Sequence, residues 1–160
     1  MGKLVVVYDS ETGNTERMAK CIEDGVKSVG GVDIVVKKIG EPFSLKILSD
    51  ADAIILGAPA YYAYVTPKMR YFIEQLKQES ESGRLELAGK LGGAFGSYGW
   101  DGGIAIERLA LEMENLGIEV RSRVLAQVPQ LPFPALNEES QEKCRNLGKD
   151  IAENASRPRK

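Results

Sequence analysis

Residues 3–15, KLVVVYDSETGNT, set a continuous apolar run, a hydroxyl-rich turn and a helix start end to end. Leu4-Val5-Val6-Val7-Tyr8 is mostly β-branched and has no polar interruption. Such a run reads as a strand buried on both faces, the place it takes in a parallel sheet. Asp9-Ser10-Glu11-Thr12-Gly13-Asn14-Thr15 then turns the chain, and Met18, Ile22 and Val26 recur at helical spacing. A strand–turn–helix order aims the first N–H groups of the helix, and the positive end of its dipole, at the turn. Ser10, Thr12, Asn14 and Thr15 add neutral donors, and Gly13 permits close backbone approach, so the turn reads as a cradle for a phosphate. Ser, Thr and Asn also favour N-caps, but four hydroxyl or amide side chains in six residues exceed what one cap uses. The turn has neither the Lys of a Walker loop nor the repeated glycines of a dinucleotide fingerprint. It suits a monophosphate that is held without a cation and does not react.

The second constraint is an absence. The chain has no histidine, which removes His-ligated metal sites, Ser-His-Asp triads and His general bases together. Any chemistry is therefore expected to belong to a bound cofactor, with no catalytic side chain and no metal ligand. At 160 residues the chain reads as one domain, residues 1–160, with enough length for a full core. A net charge of −2 offers no basic face for nucleic acid or an anionic membrane. There is no signal-peptide pattern and no membrane-spanning apolar run, so a soluble cytoplasmic protein without a membrane partner is expected. Cys21 and Cys144 lie far apart within helical patterns and are expected to be buried thiols, not a disulfide.

Further along, Gly30-Gly31 ends the first helix, and residues 32–39 read as a second, more polar edge strand. Residues 41–50 suggest a short helix, residues 51–57 a third strand and residues 58–65 a loop. Thr66-Pro67 marks a helix start, with Met69, Phe72, Ile73 and Leu76 as its apolar face. Residues 90–96 form an expected fourth strand rich in small residues, and the glycine-rich loop Ser97-Tyr98-Gly99-Trp100-Asp101-Gly102-Gly103 comes after it. The next helix stops at Gly117, and residues 118–125 form a fifth strand. Pro129, Pro132 and Pro134 break up the next stretch, Asn137 caps a last helix, and residues 156–160, SRPRK, read as a frayed basic tail.

Five strands alternating with helices predict an α/β fold: a doubly wound parallel sheet in three layers. Ligands in such sheets bind beyond the carboxyl ends of the strands, near a switch in strand order. The three unusual loops all leave that edge. The first is the phosphate cradle, the second carries Tyr61, Tyr62 and Tyr64, and the third carries Tyr98 and the single tryptophan, Trp100. A phosphate site beside two aromatic loops asks for a planar ligand with a phosphate tail.

These residues resemble a known family. Ser10-Glu11-Thr12-Gly13-Asn14-Thr15 resembles the phosphate loop of flavodoxins, which bind flavin mononucleotide (FMN). Gly57-Ala58-Pro59-Ala60-Tyr61-Tyr62 resembles the first loop lining the flavin ring, and Phe95-Gly96-Ser97-Tyr98-Gly99-Trp100 the second. The last motif is most similar to the flavodoxin domain of A-type flavoproteins, the flavodiiron proteins, here as a stand-alone domain. The resemblance runs from Lys3 to about Ala155 and implies the flavodoxin-like strand order 2-1-3-4-5. It implies that Ser10, Thr12, Asn14 and Thr15, with backbone N–H groups from Glu11 through Gly13 to Thr15, bind the FMN phosphate. Pro59, Ala60, Tyr61, Tyr62 and Ala63 would flank one side of the isoalloxazine ring. Ser97, Tyr98, Gly99, Trp100, Gly102 and Gly103 would flank the other and meet its pyrimidine edge, with Trp100 and Tyr98 stacking. For Asp101 two readings stand, a place near the ring and a solvated turn residue, the second slightly favoured. Flavodiiron proteins carry a separate metal-binding domain with histidine ligands, which this chain, having no histidine, is expected to lack. Ala60 stands where relatives of this type often have Thr, and the chain is less acidic than many flavodoxins.

The implied function is electron transport: an FMN-binding oxidoreductase-type flavoprotein that shuttles electrons between redox protein partners, such as a reductase or an iron–sulfur protein. No Lys or Arg falls in either ring loop, which should disfavour a reduced, anionic ring and lower its potential. The alternative is an FMN-dependent NAD(P)H or quinone reductase of the same superfamily, which would need room for a second substrate over the ring. A phospho-acceptor receiver domain would need an aspartate after strand three, where Gly57-Ala58-Pro59 stands.

Overall fold

The strand β1 (Gly2–Tyr8) has parallel partners on both sides, β2 (Val32–Lys38) and β3 (Ala53–Gly57). The computed structural model describes residues 2–128 and 136–155. The expected break at Pro129, Pro132 and Pro134 and the expected tail at residues 156–160 lie outside them. β3 pairs with β6 (Leu91–Tyr98), and β6 with β7 (Glu119–Gln127), again in parallel. The sheet order is β2-β1-β3-β6-β7, which is 2-1-3-4-5 counted over its own five strands.

The continuous apolar runs are explained by burial on both faces. Val5, Val7, Ile54 and Leu56 pack toward helices α3 (Pro67–Glu81) and α4 (Ile104–Asn115). Leu4, Val6, Tyr8 and Ile55 pack toward α1 (Asn14–Val29) and α5 (Glu138–Ala155). Fully burying each such Val, Leu or Ile contributes about 1.5–3 kcal/mol. The expected caps are present: Thr66 accepts the Met69 amide at 3.4 Å, and Asn137 Oδ1 accepts the Ser140 amide at 2.8 Å.

Cys21 and Cys144 are free, buried thiols, and burial pushes Cys144 up to about 12. They sit where α1 and α5 approach most closely. A Cβ on Gly25 would stand 2.0 Å from the Arg145 carbonyl oxygen, and one on Gly148 2.2 Å from that of Ile22.

Several expected boundaries shift: the second strand ends at Lys38, the third begins at Ala53 and the fifth runs on to Gln127. The short helix α2 covers only Lys46–Ser49, and just ahead of it Ser44 Oγ accepts the Lys46 amide at 3.2 Å. β6 continues through Ser97 and Tyr98, which pair with Ala126 and Gln127. Residues 58–65 are not wholly loop: β4 (Ala60–Tyr61) and β5 (Tyr64–Val65) form a small antiparallel hairpin.

Candidate functional site at the carboxyl ends of the strands

β1, β3 and β6 end at one rim, so the three segments that leave them meet there. The first turn is shaped by Gly13, whose φ of 95° is left-handed and which caps α1. Ser10 Oγ accepts the amides of Gly13 and Glu16, at 3.2 Å each, so it closes the turn over the start of α1. Asn14 Nδ2 donates to Thr12 Oγ1 at 3.3 Å. Thr15 is buried, and its hydroxyl meets Ser97 Oγ at 3.0 Å, which ties the first segment to the third.

A second tie joins the first segment to the hairpin. Asp9 is only 3% exposed; its Oδ1 accepts the Ser10 amide at 2.9 Å and its Oδ2 accepts the Thr66 hydroxyl at 2.6 Å. Thr66 directly follows β5 and is 1% exposed. One buried carboxylate therefore holds both the cradle and the root of the hairpin.

Between the three segments lies a cavity of about 310 Å³. Of the residues expected at the site, Glu11, Thr12, Asn14, Pro59, Ala60, Tyr62, Ala63, Ser97, Tyr98, Gly99 and Trp100 line it. Asp101 and Val128 line it as well. Tyr62 is 80% exposed and Trp100 69%, so two large rings stand open at its mouth. The lining contains two carboxylates, Glu11 and Asp101, and no cation among the described residues.

The other expected residues have different places. Ser10 and Gly13 shape the turn, and Thr15 braces it from behind through Ser97. Tyr61 packs edge-on against Tyr62, with ring centres 4.8 Å apart, and faces a neighbouring recess shared with Asp9, Ser10, Thr66 and Lys68. Gly102 and Gly103, with φ of 72° and 87°, turn the chain into α4. Asp101 is not simply a solvated turn residue: its Oδ1 accepts the Gly103 amide at 2.9 Å and its Oδ2 the Ala105 amide at 3.4 Å, capping α4.

Sequence reasoning missed the structural parts of Asp9, Thr66, Arg108 and Val128. Thr66 carried a signal, its place before Pro67, but only as a helix cap. Arg108 Nη1 donates to the Ala63 carbonyl at 3.0 Å from α4, so a cation does reach the hairpin although the loops contain none. No group of three or more acidic, Cys or His side chains is placed to hold a metal ion among the described residues. No helix there is long and apolar enough to cross a membrane.

The arrangement suits a ligand with an anionic tail at the α1 N-terminus and a flat apolar body between the aromatic walls. The model of the Flavodoxin family matches residues 6–146. A flavodoxin of Aquifex aeolicus (strain VF5) is 31% identical over 164 residues, covering 96% of this chain and 86% of that protein. The structure of a flavodoxin from the domain Archaea shares 32% identity at a TM-score of 0.79, covering 97% of this chain and 99% of that one. The flavodiiron protein from Giardia intestinalis has the same TM-score, 0.79, at 22% identity, covering 96% of this chain but 36% of that one. At that identity the likeness is one of fold.

Proposed function

The chain belongs to the flavodoxin family, and from that premise we propose that it carries single electrons between redox proteins on an FMN seated in the cavity between the three segments. FMN supplies the redox chemistry when bound; the chain's residues bind it, orient it and set its surroundings. The observation that carries this reading is the convergence of the cradle, the hairpin and the β6–α4 segment on one cavity, locked by the Thr15–Ser97 and Asp9–Thr66 bonds.

The residues present fit the group. Thr12 and Asn14 line the cavity beside the α1 N-terminus, where a phosphate gains from neutral donors and the helix dipole. Tyr62, Tyr98 and Trp100 offer flat apolar walls for the ring. Glu11 and Asp101 add negative charge to the lining, which disfavours added electrons on the ring and holds its potential low. Partners of this chain are redox proteins; a reductase as donor and an iron–sulfur protein as acceptor, in the cytoplasm, complete the proposal.

Trp100→Ala is expected to weaken FMN binding by about 0.5–1.5 kcal/mol beyond the loss of buried area, and to shift the flavin potential. Titration of the apoprotein with FMN and a spectroelectrochemical measurement check this together. Unchanged affinity and potential would remove Trp100 from the site.

The carrier function is tested by anaerobic reduction and then mixing with NADH or NADPH and a quinone. Two resolved one-electron steps are expected, with nicotinamide oxidised only after a reductase is added. Rapid oxidation of NADH or NADPH with a quinone by this chain alone would favour the reductase alternative instead.

A further inference from the structure

Tyr62 and Ala63 form the two-residue turn between β4 and β5, with φ of 49° and 62°. Turns of this kind favour Gly, Asn or Asp, and an ordinary L residue is strained there. Both residues line the cavity, so the strained turn is part of its wall. The hairpin has only two residue pairs, Ala60 with Val65 and Tyr61 with Tyr64. A ribbon that short does not hold itself, and strained backbone persists only where its surroundings impose it.

The restraint comes from the two helices beside the hairpin. On α3, the Arg70 guanidinium lies 5.0 Å from the centre of the Tyr64 ring. Burial, with the Glu112 carboxylate nearby, pushes the Tyr64 hydroxyl above its ordinary pKa and keeps that ring neutral. On α4, Arg108 Nη1 donates to the Ala63 carbonyl at 3.0 Å. That carbonyl belongs to one of the two strained residues, so this bond acts on the turn itself.

We propose that Arg108 is a positioning residue for the flavin ring. Its guanidinium holds the Ala63 carbonyl and so keeps the Tyr62–Ala63 turn in the left-handed form that shapes the wall of the cavity. Arg108 does not line the cavity and acts only through Ala63. This rests on the reading that the cavity holds FMN.

The test is a double-mutant cycle on the apoprotein with Arg108→Gln and Ala63→Gly, singly and together. FMN and riboflavin are each titrated by the quenching of flavin fluorescence. Glycine at 63 adopts positive φ without strain, so it relieves the turn at the residue whose carbonyl Arg108 holds. Arg108→Gln should weaken both flavins alike, by about three- to tenfold, the scale of one ordinary hydrogen bond, as suits a bond at the surface. In the Ala63→Gly background the same change should cost less than about twofold. The visible spectrum of bound FMN, which reports the surroundings of the ring, should shift in Arg108→Gln and return in the double variant. Equal losses in both backgrounds would overturn the proposal. So would a loss confined to FMN, which would mean charge acting on the phosphate, or an unshifted spectrum, or no loss at all. A wild-type chain that bound neither flavin would overturn the FMN reading and the inference with it. Wild-type binding with an additive cycle overturns the inference alone.

Discussion

Gly96→Ala is expected to destabilise the protein by about 3 kcal/mol and to weaken FMN binding with it. A Cβ at this position would stand 2.1 Å from the Ala58 carbonyl oxygen and 2.7 Å from Ile106 Cγ1. The first of these is backbone and cannot rotate away. Nor can the two segments part freely, since the Ala58 amide donates to the Phe95 carbonyl at 3.2 Å. The wedge would therefore drive the exits of β3 and β6 apart. Pro59 and Ala60 continue one, Ser97 and Tyr98 the other, so both walls of the cavity shift together. Gly102→Ala is the control. Gly102 has φ of 72° but open space around its Cβ, so only the backbone cost of roughly 1–2 kcal/mol applies. Urea unfolding and FMN titration of both variants check the contrast. A Gly96→Ala variant no worse than Gly102→Ala would mean that the close approach of the two segments is not what shapes the site.

The framework of the fold was readable because its signals are local. The run from Leu4 to Tyr8 is apolar because both faces of β1 are covered, and that requirement is written in consecutive residues. Thr66-Pro67 and Asn137 announced helix starts through cap chemistry confined to one turn. The strand order itself came from the family resemblance, and the sheet has it.

The features that escaped the sequence are non-local or contrary to preference. Ser97 and Tyr98 read as loop because glycines surround them, yet they are strand because β7 runs beside them to Gln127. The hairpin at residues 60–65 was hidden because its turn is Tyr62-Ala63, without the Asn-Gly or Asp-Gly signal that such turns carry. Arg108 sits on a helix face that gives no sign of the Ala63 carbonyl it reaches, 45 residues earlier. Asp101 read as a solvated turn residue because its role depends on where α4 begins, which the glycines on either side obscure.

The Asp9–Thr66 bond carries the other large expectation: Thr66→Val should cost about 2.5–4 kcal/mol of stability. Two losses add. Removing the hydroxyl takes away the α3 cap on the Met69 amide, worth about 1 kcal/mol. It also takes away the donor to Asp9 Oδ2, at 2.6 Å, and a hydrogen bond to a charged group is worth about 1.5–3 kcal/mol. Asp9 is buried, so water cannot readily replace the lost donor. Its other oxygen still accepts the Ser10 amide, so a carboxylate that turns toward a new partner pulls the cradle with it. FMN affinity should therefore fall along with stability, although Thr66 does not line the cavity. Thr66→Ser keeps the hydroxyl and loses only a methyl group, so it should recover most of both. Denaturant unfolding of the apoproteins gives the stability change, and FMN titration gives the affinity change. If Thr66→Val lay within about 0.5 kcal/mol of the wild type, the range of an ordinary surface substitution, the buried bond would not be what holds cradle and hairpin together. If both variants lost affinity equally, packing of the Thr66 methyl would replace the hydroxyl as the cause.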